Sequence, residues 1–103
     1  MDPDPKEVSL SPRSTRAVAT FQRRILGLFP ACPEATARAA ALRWSRVCPP
    51  AKQESEARIT HDETIRNVLI EQVRFELAGG KEPDPAQRRR LTERVRAVLA
   101  GWK

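Results

Sequence analysis

Residues 60–80 read THDETIRNVLIEQVRFELAGG, from Thr60 to Gly80. Ile65, Val68, Leu69, Val73 and Leu77 recur at helical spacing and form one apolar stripe, which a helix buries and a strand cannot. Ile70 and Phe75 broaden it. Thr60 and Glu63 match the capping box, with Thr60 as N-cap and Glu63 at N3, so a helix is expected over about 61–78. Gly79-Gly80 supply its stop. A helix apolar over so much of its surface is expected at the centre of the domain.

The flanking segments carry the same period. Toward the C-terminus, Asp84-Pro85-Ala86-Gln87 gives an N-cap, a proline at the first helical position and Gln at N3. Leu91, Val95, Val98, Leu99 and Trp102 then stay in phase, predicting a helix over about 85–102 with a docked end. Toward the N-terminus, Ala37, Ala40, Ala41, Trp44 and Val47 share a face of a helix over about 33–47. Small residues there let a neighbour approach closely, and Arg38, Arg43 and Arg46 are expected on the wet side. Ser11-Pro12 opens a first helix, about 12–29, with Val18, Phe21, Ile25, Leu28 and Phe29 inward. Residues 49–58, PPAKQESEAR, are expected to be a polar, mobile linker. Residues 1–10 read as a flexible acidic leader. The expectation is an all-α, compact single-domain bundle of four helices over 11–103, with Phe21, Trp44, Leu69, Val95 and Trp102 in its core.

Charge is sorted along the chain. Residues 11–52 sum to +7, residues 53–84 to −4 and residues 85–103 to +5, within a total of +6. Fifteen of the nineteen basic residues are Arg, whose planar fork matches carboxylate and phosphate. The sorting invites internal pairing and leaves Arg over for an acidic partner.

Catalytic patterns are missing. No Ser or Thr sits in a nucleophile-elbow or phosphate-loop context. His61-Asp62-Glu63 is the one place where His adjoins carboxylates. Consecutive helical residues diverge by about 100° and do not converge on one atom. Cys32 and Cys48 flank the second helix, so they are expected roughly 24 Å apart, too far for a disulfide. Two free thiols in a reducing compartment are expected. Two Cys and one His cannot make a four-ligand zinc site without carboxylates. No apolar run approaches a membrane span and no secretory leader is visible.

Leu28-Phe29-Pro30-Ala31-Cys32-Pro33, then spaced Ala, a late Val73-Arg74 and a closing run from Arg94 to Trp102 carry a resemblance. Over about residues 25–103 the chain resembles the small bacterial and fungal family of domain of unknown function 2293. Family members carry Gly-Ser-Gly-Arg after the second helix and His beside the Val-Arg. Here Pro49-Pro50-Ala51-Lys52 and Phe75 stand at those places. The resemblance implies a small helical domain without an established activity, and no residue role is carried over.

Two binding classes stay open. Arg88-Arg89-Arg90 put cations at a helix N-terminus, against the dipole. Phosphate would offset that arrangement, and so would Glu82, Asp84 or the acidic helix over 61–78. Arg89, Arg90, Arg94 and Arg96, with Arg16 and Arg23 on the first helix, are the candidate contacts to an acidic protein or to nucleic acid. A helix-turn-helix over 17–47 is disfavoured by the two prolines in its turn. Leu26, Ile70 and Phe75 lie off the main stripes and are the candidate protein-interface residues. The reading is a non-enzymatic binding or adaptor domain, intracellular, without cofactor or membrane. An acidic protein partner is placed ahead of nucleic acid.

Overall fold

The computed structural model describes residues 10–103. Along them run α1 Pro12–Leu28, α2 Glu34–Val47, a 3-10 turn Pro50–Lys52, α3 Gln53–Ile59, α4 Asp62–Leu77 and α5 Pro85–Gly101. No strand occurs among the described residues, so the fold is all-α. The expected leader lies, Leu10 apart, outside these residues; Leu10 itself packs against the core.

The helix count is five rather than four, because residues 49–58 are not a free linker. Pro49-Pro50 end α2, but Pro50 also suits the first position of the 3-10 turn. Gln53 is buried, and its amide donates to the carbonyls of Ser45 (2.8 Å) and Cys48 (3.0 Å), which α2 leaves without helical partners. One turn on, Ala57 is fully buried and lets α3 lie against α1. A polar heptapeptide is thus helical on the strength of two inward residues.

The start of α4 is corrected for the same reason. Thr60 is not its N-cap. Thr60 closes α3, its N–H on the Glu56 carbonyl at 2.9 Å and its hydroxyl 3.5 Å from the Glu56 carboxylate. His61 stands at the N-cap in extended backbone without a side-chain cap. Asp62 and Glu63 still place negative charge in the first turn. At α5 the capping box is present: Asp84 accepts from the Gln87 N–H at 2.8 Å, and Gln87 accepts from the Asp84 N–H at 3.0 Å. Ser11 caps α1 through the Ser14 N–H.

α1 packs against α2, α3 and α4, while α4 also packs against α2 and carries α5. α1 therefore shares the central place expected of α4. The largest fully buried side chains are Phe21, Ile25 and Val18 of α1, Phe29 at its end, and Ile65 and Leu69 of α4. Ala37, Ala40 and Ala41 are completely buried, and beside them Phe21 stacks on Trp44 with ring centroids 4.5 Å apart. The corner after α4 uses Gly79 and Gly80 at φ 82 and 84, a left-handed path that only glycine follows freely.

Three burial expectations are corrected. Val47 is 80 % exposed, because α2 ends there and its last residue projects beyond the cover of the Ala face. Arg43 is drawn out of solvent, its side chain only 25 % exposed, by Gln72, Glu82 and the Phe75 ring. Trp102 is half-buried rather than core, because it stands at the C-cap of α5, past the last helical residue. It packs against the core nonetheless, and its carbonyl accepts the Ala31 N–H at 3.0 Å, so the C-terminal helix is docked.

Two sets of substitutions check this description by chemical denaturation. Asp84→Ala is expected to lose about 0.5–2 kcal/mol, whereas Thr60→Ala stays within about 0.5 kcal/mol. Phe21→Ala is expected to lose about 3–5 kcal/mol, and Trp102→Ala about half as much. Equal losses at Phe21 and Trp102 would contradict the lesser burial of Trp102.

Candidate functional site

The first two turns of α5 carry three guanidinium groups near the positive end of the helix, and the fold resolves them differently. Arg88 turns back to α4. Its Nη1 and Nη2 donate to Glu71 Oε2 (3.0 Å) and Oε1 (2.8 Å) in a two-pronged pair. Glu71 also accepts from Arg74. Hydrogen bonding to Arg88 is the chief reason the Glu71 carboxyl is held below the usual carboxylate range, with Arg74 and Arg43 adding to it against the burial of the group. The acidic α4 thus offsets Arg88 with no ligand needed.

Arg89 and Arg90 have no such recourse. With Arg94 they are exposed and make no ion pair among the described residues. Arg96 meets only Glu93 on its own helix, at 3.3 Å and with both side chains at least 75 % exposed, a pair of little strength. The α5 wheel separates these groups. Leu91, Val95 and Leu99 face inward and are buried. Arg90 and Arg94 lie on one flank. Arg89 and Arg96, seven residues apart, lie on the other.

Each flank borders a groove against α4. One, about 410 Å³, runs past Leu77, Ala78 and Leu91, with Arg90 and Arg94 at its edge. The other, also about 410 Å³, has Phe29, Ile70, Val95 and Leu99 as its floor and Arg66, Arg96 and Lys103 around it. Arg66 and Lys103 also make no ion pair among the described residues. The sequence reading missed Arg66. It lies one turn before Ile70 on a helix that is acidic overall, and only the packing of α5 on α4 puts it on the same groove as Arg96.

The other candidates are dispersed. Arg16 is held by Glu54 of α3 at 2.7 Å, and Arg23 meets only Thr20, at 3.3 Å. Neither lines the grooves flanking α5. Leu26 and Ile70 are half-buried against the core, and of these Ile70 opens into a groove. Phe75 is half-buried beneath the Arg43 guanidinium, 5.3 Å from the ring centre.

The other titratable groups lie away from the α5 grooves. His61, Asp62 and Glu63 share an open hollow with Arg24, but Arg24 is committed to the Ala57 carbonyl (3.2 Å) and Asp62 (3.0 Å). No group of three or more His, Cys, Asp and Glu residues gathers for a metal among the described residues. Both cysteines are free. Burial, reinforced by Glu76, pushes the Cys32 thiol up to about 11, and burial raises Cys48 as well, so neither is a thiolate nucleophile at neutral pH. No described helix is long and apolar enough to cross a membrane.

No protein-family model, curated protein or solved structure matches the chain.

Glu71 gives a pH-dependent check. Its pKa is lowered on folding, so its stabilisation is complete above the unfolded value, about 4.3. It is lost as pH falls through the lowered folded value. Glu71→Gln is expected to melt below the wild type at pH 7. The gap should close on acidification below about pH 4. A gap independent of pH would show that the Arg88 pair contributes nothing.

Proposed function

We propose that this chain is a non-enzymatic binding domain whose α5 engages an acidic protein partner. The observation that carries the reading is the unequal treatment of the arginines. Arg16, Arg24, Arg43, Arg74 and Arg88 are each paired with a carboxylate of another residue in the fold. Arg89, Arg90 and Arg94 have none and are spread over both flanks of α5; within six residues they are the densest set among the exposed arginines that make no ion pair, Arg13, Arg23, Arg38, Arg46, Arg58 and Arg66 being scattered along the chain. Exposed like charges so placed repel one another unless an anion meets them. Guanidinium forks accept carboxylates in pairs. Two free thiols suit an intracellular setting.

Nucleic acid is the second reading, favoured by the same forks. What places it second is the whereabouts of the aromatic rings. Phe21, Phe29 and Trp44 are buried, Phe75 lies under Arg43 and Trp102 packs on the core. None stands on the outer face of α5 to stack an unpaired base. Apolar grooves on both flanks suit a protein better than a phosphate backbone.

Fluorescence anisotropy separates the two. A labelled Glu-rich peptide is expected to bind near physiological salt, with affinity falling at least about tenfold in Arg89→Ala/Arg90→Ala/Arg94→Ala. Duplex DNA is expected to show no binding at about 50 mM salt. The nucleic-acid reading wins if DNA binds with a log–log salt slope that shrinks by about one unit for each Arg removed. Peptide binding insensitive to the triple substitution would move the surface away from α5.

A further inference from the structure

We propose that the groove floored by Phe29, Ile70 and Leu99, between α4 and α5, receives a short amphipathic helix of the partner, apolar stripe inward and acidic flanks outward. This rests on the acidic-partner reading and adds where the partner sits and in what conformation. The groove encloses about 410 Å³. Its α4 wall spans one turn, Arg66 to Ile70, and its α5 wall runs from Val95 through Leu99 to Ala100, with Lys103 just past the helix end. From Val95 to Ala100 the helix rises about 7.5 Å, more than one turn. That length takes apolar anchors at i and i+3 or i+4 of an incoming helix, the usual mode of helix-in-groove recognition.

The charges at the edge select the flanks of that helix. Arg66, Arg96 and Lys103 surround an apolar floor. Arg66 and Lys103 pair with no acid among the described residues, and Arg96 holds only the exposed Glu93. A low-dielectric floor ringed by one sign of charge strengthens the local field. A carboxylate on the incoming helix would exchange one weak surface pair for a closer contact and leave Glu93 in water. An apolar helix without acids would leave three cations pressed against it. An acidic segment without an apolar stripe would leave the floor uncovered. The site therefore asks for both features on one helix.

Three labelled peptides about 18 residues long, five helical turns, test this with the full chain. One carries Leu at helical spacing with Glu flanks, the second scrambles that composition, and the third keeps the Leu stripe with Lys flanks. Anisotropy near 150 mM salt is expected to show the first binding at least about tenfold tighter than the other two. Arg66→Glu/Lys103→Glu alters two exposed side chains and should leave the circular dichroism spectrum and melting temperature unchanged. That variant is expected to lose at least about tenfold in affinity for the first peptide. Equal binding of the striped and scrambled peptides would overturn the groove, and so would full binding by the charge-reversed variant. In either case the broader reading survives if the triple α5 substitution still weakens binding. Binding of DNA but of none of the peptides would overturn both.

Discussion

Phe21 lies flat on Trp44, and the spacing between α1 and α2 follows from that contact. Ala37, Ala40 and Ala41 leave no side chain tall enough to hold the helices apart. The stacked rings fill the space beside the alanines, at 4.5 Å between centroids and 16° between planes. Such a pair adds roughly 0.5–1.5 kcal/mol to what burial of its area contributes. Its larger effect is geometric. Once α1 and α2 are fixed as a pair, α4 lies against both, α3 covers α1, and α5 is carried by α4.

The outer helices are held by polar contacts suited to their small apolar faces. α3 has Ala57 inward and is tied by Gln53 to the end of α2 and by Glu54 to Arg16 of α1. α5 is held by a narrow line of Leu91, Val95 and Leu99 and by the Arg88–Glu71 fork. A helix attached along one line leaves both flanks bordering grooves, and Arg66, Arg90, Arg94 and Lys103, none of them in an ion pair among the described residues, line those grooves. The peripheral position of α5 and the openness of its two flanks thus have one cause.

Arg88, Arg89 and Arg90 show how little their adjacency meant. In sequence they form one basic run, yet successive residues of a helix point about 100° apart. One is drawn into an internal pair, one joins the Arg96 flank and one the Arg94 flank. The sorted charge of the chain is therefore partly internal and partly outward. Only the docking of α5 on α4 distinguishes the two.

The sequence by itself determined the all-α class, the places of α1, α2, α4 and α5 and the cap of α5. It also indicated most of the core. These depend on contacts within three to eleven residues, where helical period and capping chemistry leave few alternatives. Tertiary structure alone decided that residues 49–58 are ordered, since Gln53 and Ala57 find their partners on α2 and α1. It likewise made Thr60 the end of α3 rather than the start of α4. The partial burial of Arg43, the exposure of Val47 and the placing of Arg66 and Arg96 on one groove were decided the same way. Each turns on which helix lies alongside, and a one-dimensional period records which face a helix buries but not what it is buried against.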